Sequence, residues 1–533
     1  MSQNVADVGG AAFSSALGEV RRALSRPTAS DVATIGCTLL VAVVVGSALV
    51  GVGLAVFATV AGLAAALATV LLASDRPLVR AIGGAVAIPA ALVVVLPTVL
   101  AAALVASSGV GRFAGISVWA LVVAGLSSGL VSWNRLGRGG AARGATGSMI
   151  AATGVIALVV LRILPESTAR ERAGAAAADV AGTLWSVFVV ADGSWAIVWF
   201  AVLLFSTAFA VSRAVAAVPF ERLVPPDREP RLSAVTDAIQ RACSYGLRFA
   251  VLLTMLAFVT PAVSDRFEEV PTTPLEVASQ LPWSIGYAPA VLVTASGLRL
   301  LFVSLLLAAV ALVALEWARR TLRHNAALAL ARIVAPGVGA ALVAVVAALA
   351  LSALAPGFDP AAALEGSAPP SVVNLVESLP PFALAASVLV VALAVLSSVL
   401  YSVTFLRSLR ILPARAIGGA LAAGSVFLLA VGLAVVGRAE LAIVTGAGAF
   451  VLWDVGEYAD GVRGELGRDA ETLRAELVHV GATLLSGAVV AGATVVLYRS
   501  IGTDTPVSDP ISAAVALATG LLAVVFVAWS LRG

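Results

Sequence analysis

The chain contains no lysine: all 33 of its basic side chains are arginines. That excludes a Walker A phosphate loop and Schiff-base chemistry, both of which need a lysine amine. A GC-rich coding bias is the expected cause of arginine in every basic position, with a functional preference for guanidinium as the alternative. Only two cysteines occur, Cys37 and Cys243. One falls in the first apolar run and the other in a basic loop, so neither a disulfide framework nor a metal cluster is expected. The two histidines, His324 and His479, form no H-E-x-x-H motif. No cofactor is implied. Charged residues make up 12% of the chain against 60% hydrophobic, with a mean hydropathy of +1.05. Those values lie far outside the range of soluble globular proteins.

What the chain has in quantity is oil. Apolar stretches of span length run at 32–51, 54–73, 81–105, 113–132, 145–164, 194–213, 247–264, 289–316, 327–354, 382–405, 416–436, 440–458, 478–498 and 510–530. A hydrocarbon core about 30 Å thick takes about 20 such residues per helix. Only a helix satisfies every backbone polar group within one segment. The expected fold is therefore an all-α polytopic transmembrane bundle of about 14 spans, with the lipid bilayer as its first partner. The first two spans come from one uninterrupted run, and Gly51-Val52-Gly53 is the place for the hairpin between them.

Arginines fill alternate gaps. With both termini inside, the inner segments hold 25 of the 33, the outer ones hold seven, and Arg299 lies within a span. This bias predicts cytoplasmic N and C termini in a cytoplasmic membrane. It also explains the basic loops without nucleic acid. A miscounted span would scramble the alternation from that point on. The outer loops are acidic instead. Residues 1–31 are expected to be a polar cytoplasmic segment rather than a cleavable signal peptide.

Three outer loops resemble one another. Spans five, seven and nine end at Pro165, Pro261 and Pro356, each soon followed by an acid: Glu166, Asp265 and Asp359. The stretches beginning at Asp179, Glu276 and Asn374 then recur at 97- and 98-residue intervals. Near-constant spacing is the mark of duplication. The expected organisation is a cytoplasmic segment 1–31, four spans over 32–144, three tandem helix-pair units with short amphipathic outer helices over 145–415, and four spans over 416–533. Between spans six and seven, Leu232, Val235, Ile239 and Ala242 predict an amphipathic helix on the inner leaflet, after the proline-rich stretch 225–230.

The segment 453–479 carries the densest chemistry. Asp454 and Glu457 share one helix face beside Trp453. Arg468, Arg474 and His479 are placed to return on the next helix and pair with them, with Glu476 among them. The bland account is an ion-pair clasp between spans twelve and thirteen; the sharper one is a docking or proton-coupling site. The pieces Trp453-Asp454-Val-Gly-Glu457, Leu466-Gly-Arg468 and Thr472-Leu-Arg474-Ala-Glu476-Leu-Val-His479 resemble a family of multi-pass membrane proteins of unknown function from halophilic archaea. The pieces cover under about 30 residues, while the many-span layout agrees over most of the chain. The resemblance implies genes lying near those of MoxR-type ATPases and associated membrane proteins. A saline exterior would also suit the acidic outer loops.

Arg299 is the second candidate. A charge at mid-span costs roughly 2.5–3.5 kcal/mol on insertion scales, so it either faces the bundle or snorkels to an interface. Gly125-Leu-Ser127-Ser-Gly129 matches the G-x-S-x-G nucleophile pattern but sits mid-span, where Gly-xxx-Gly packing is the expectation. No catalytic constellation appears, so the chain is expected not to be an enzyme. The leading reading is a scaffold or assembly component with membrane or cytoplasmic protein partners. The alternative is a secondary transporter or lipid-linked flippase.

Overall fold

The computed structural model describes residues 28–500 except 107–110, 134–135, 164–166, 191–195, 219–228, 264–291, 324–325, 355–380, 409–411, 414 and 467–471, together with Ser14 and Gly18. Among the described residues every regular element is a helix. In order they are α1 (Ala29–Val50), α2 (Val52–Leu72), α3 (Pro77–Ala106), α4 (Gly111–Leu130), α5 (Ala141–Ile163), α6 (Ser167–Trp185) and α7 (Ala196–Ala217). Then come α8 (Glu229–Val263), α9 (Ser296–Arg323), α10 (Ala326–Leu354), α11 (Pro381–Ser408), α12 (Ile417–Val435), α13 (Ala439–Glu465) and α14 (Leu473–Ser500). Among the described residues twelve of them are long and apolar enough to cross a membrane. The chain is an all-α, multi-pass membrane protein.

The hairpin between the first two spans falls at Gly51, whose φ of +87° is open to glycine and strained for other residues. The helix at 232–242 and the seventh span at 247–264 were expected as separate elements. They are instead one continuous helix, α8, because nothing between Arg231 and Pro261 stops it: the stretch holds no proline, and Gly246 alone does not end a helix. The fourteenth span, 510–530, lies outside the described residues. So do the repeat stretches beginning at Glu276 and Asn374, whereas Asp179–Trp185 forms the end of α6.

The helices gather into two compact units, α1–α5 with α10–α14 in one and α6–α9 in the other. The division runs through residues 145–415: α5, α10 and α11 belong with the first unit.

In the first unit, close packing rests on missing side chains. A Cβ on Gly62 would lie 2.0 Å from the Val122 carbonyl oxygen, and one on Gly125 would lie 2.0 Å from that of Thr59. Helices α2 and α4 therefore touch backbone to backbone, as small-xxx-small pairs do in lipid. Ser127 is fully buried, and its hydroxyl donates to the Ala124 carbonyl at 3.0 Å, which leaves packing as the role of this motif. Because the obstacle is backbone and cannot rotate aside, Gly125→Leu should cost about 2–3 kcal/mol. An unchanged unfolding temperature in detergent would contradict that contact. Reciprocal bonds join α5 to α11: the Ser148 hydroxyl donates to the Leu393 carbonyl at 2.8 Å, and that of Ser397 to Ala145 at 3.1 Å.

In the second unit α7 is the common neighbour. The Thr207 hydroxyl donates to the Phe302 carbonyl on α9 at 3.1 Å. The Gln240 side chain of α8 accepts from the Ser212 hydroxyl at 2.9 Å and donates to the Ser212 carbonyl at 3.0 Å.

Candidate functional site

Four helix ends of the first unit meet in one polar cluster. Helix α1 opens with a capping box: Asp31 N–H donates to Thr28 Oγ1 and Thr28 N–H to Asp31 Oδ2, each at 3.1 Å. The Asp31 side chain is fully buried, and its second oxygen accepts from Arg463 Nη1 near the end of α13. Arg463, only 7% exposed, also donates to Asp460 Oδ1 at 3.2 Å. Asp460 Oδ2 in turn accepts from the N–H of Ala416 at 2.9 Å, just ahead of α12. Ala416 has a φ of +54°, so this bond holds a left-handed residue at the helix start. One guanidinium thus serves two carboxylates and ties α1 to α13.

The expected segment 453–479 lies alongside. Asp454 Oδ2 accepts from Thr483 Oγ1 at 2.7 Å and lies 3.0 Å from His479 Nε2. His479 Nε2 makes no hydrogen bond there, and the contact is an ion pair only with the imidazole protonated. The imidazole stacks on Tyr458 with centroids 3.9 Å apart. Asp454 and His479 thus meet across α13 and α14. Glu457 instead stays on its own helix and accepts from Trp453 Nε1 at 3.1 Å. Arg474 is exposed, and Arg468 lies outside the described residues. Glu476 is buried, and its Oε2 accepts from the Ser30 N–H at 2.9 Å while Oε1 accepts from Thr472 Oγ1 at 2.5 Å. That anchors α14 on the N-terminus of α1, where the helix dipole favours a carboxylate.

Asp31, Asp460 and Arg463 were not singled out from the sequence. The Thr28-x-x-Asp31 spacing before an apolar run is a visible capping-box signature, but it says nothing of an arginine on another helix.

Arg299 anchors the second unit. Its side chain is fully buried near the start of α9. Nε donates to the Val293 carbonyl and Nη2 to that of Ala196, both at 2.7 Å. Nη1 reaches the Val187 and Phe188 carbonyls at 3.2 and 3.3 Å. The guanidinium also lies 5.6 Å from the centre of the Phe200 ring. Val187 and Phe188 belong to the single π-helical turn Ser186–Val190 that ends α6. Carbonyls in the last turn of a helix lack partners within the helix and carry the negative end of its dipole. Arg299 is therefore a tethered cation in a backbone-carbonyl cage within the second unit.

Among the described residues no group of three or more His, Cys, Asp or Glu side chains could hold a metal ion. With this geometry in view, the C-terminal helices find their likeness. Residues 367–528 match the family of unknown function DUF7519. The DUF7519-like region is just under a third of the chain and includes α11–α14, hence Asp460, Arg463 and the whole of 453–479. Asp31, their partner on α1, stands outside it. Comparison with curated proteins and with solved structures finds no match for the chain.

Proposed function

We propose that the chain is a non-catalytic assembly component of the cytoplasmic membrane, with both termini on the cytoplasmic side. The observation that carries this reading is the start of α14, which is fixed on one side and, among the described residues, exposed on the other. Its inner side is tied down by Glu476 and His479, while Leu473, Arg474, Leu477 and Val478 face outward, Val478 being 72% exposed. A pre-ordered helix end with apolar and guanidinium groups outward suits a protein partner, because little conformational entropy remains to be lost on docking. The tethering of Arg299 by carbonyls supports a structural role for that charge over a transport role.

Affinity purification in mild detergent with mass spectrometry of co-eluting proteins tests the reading. A stoichiometric partner lost on Leu477→Asp/Val478→Asp is expected, and a solitary protein that a solute stabilises thermally would favour a transporter or flippase. Orientation is tested by labelling Asp237→Cys, an exposed position on α8. A membrane-impermeant maleimide should reach it only after permeabilisation. The native Cys243 should react slowly in the same experiment, since burial pushes its thiol above the usual range.

A further inference from the structure

The hydrogen bonds of α7 to α8 and to α9 leave a slot between those two helices, with α7 as its floor. The slot has a volume of about 730 Å³ and walls of apolar side chains, among them Leu204, Phe249, Leu253, Leu292 and Phe302. Phe249 and Leu292 are more than half exposed, so the slot opens sideways. It runs about 12 Å along α8 from Tyr245 to Leu253, at 1.5 Å per residue. Both α7 and α9 are spans, so the opening faces hydrocarbon. Gly246 lines it, and a Cβ there would meet only ordinary contacts, the nearest being Ala208 at 3.5 Å. The absent side chain therefore leaves room that packing does not require. At the Tyr245 end, the exposed Arg248 guanidinium lies 6.0 Å from the centre of the Tyr245 ring. An apolar slot with a cation at one end has the charge and polarity pattern of an anionic lipid.

We propose that this slot holds one hydrocarbon chain of an anionic membrane phospholipid, whose phosphate rests on Arg248. The aromatic wall supplies dispersion contact along the chain, and Arg248, braced by Tyr245, selects the headgroup charge. Occupancy would fill the gap between α8 and α9 and hold the second unit together. The proposal is independent of whether the chain assembles with a protein partner.

Native mass spectrometry of the full-length protein, released from nanodiscs of equimolar phosphatidylglycerol and phosphatidylcholine, tests it. The wild type is expected to retain one phospholipid per chain, with phosphatidylglycerol preferred about fivefold, the worth of one arginine against an anionic headgroup. Arg248→Gln should remove that preference while lipid is still retained. Gly246→Trp should fill the slot and abolish retention of both lipids. Absence of bound lipid in the wild type, as when another helix fills the slot, would overturn the proposal. So would equal retention of the two lipids, or a preference that survives Arg248→Gln. If Gly246→Trp fails to fold, the Arg248→Gln comparison decides alone.

Discussion

Arg463→Met should destabilise the protein by about 3–5 kcal/mol, the usual cost of removing one partner from a buried ion pair. Asp31 has no exposure through which water could take over, and Asp460 would lose its side-chain partner in the same step. The informative variant is the double one. Asp31→Leu/Arg463→Met removes the stranded charge together with its partner, and apolar replacement of a whole buried pair is often close to neutral. The double change should therefore cost well under the sum of the single ones, with a coupling on the order of 2–3 kcal/mol. Thermal and denaturant unfolding of all four proteins in one detergent measures it. Strictly additive losses would mean that the two side chains do not share a buried contact.

Arg299→Met should be the other severe lesion, at about 3 kcal/mol. Two carbonyls held at 2.7 Å lose their donor, and each unsatisfied buried acceptor costs about 1–3 kcal/mol. Relief of the guanidinium's own desolvation offsets part of that. Arg299→Lys should recover less than half, because a single ammonium cannot reach carbonyls on α6, on α7 and before α9 at once, as a planar fork does. The strongest check is chemical rescue of Arg299→Ala. Millimolar methylguanidinium, below denaturing levels, should raise its unfolding temperature and leave the wild type unmoved. A variant as stable as the wild type would remove the cage from the account.

The legible part of this fold is the part governed by one-dimensional physics. Hydrocarbon thickness sets the length of apolar runs, so twelve described helices of span length stand close to where composition puts them, and Gly51 marks the first hairpin. The boundary drawn between 242 and 247 failed because polarity changes there while helix propensity does not. Polarity decides where a helix lies, and only a breaker decides where it ends. The candidate sites show a similar limit. Asp454 and His479 were legible because adjacent antiparallel helices must bring such positions together. Arg463 and Asp31 were not, being 432 positions apart with no local pattern to link them. Arg299 was conspicuous as a lone charge, but its partners are carbonyls, which every residue carries and no sequence pattern marks.

The bond between α1 and α13 also imposes a timetable. Asp31 leaves the ribosome with the first helix, whereas Arg463 follows 432 residues later. At about 5–20 residues per second, that interval is roughly 20–90 s of synthesis. Throughout it the leading helix carries a carboxylate whose permanent counter-ion does not yet exist. The nascent chain must keep that group near headgroup water or on an insertion factor until α13, the penultimate described helix, arrives.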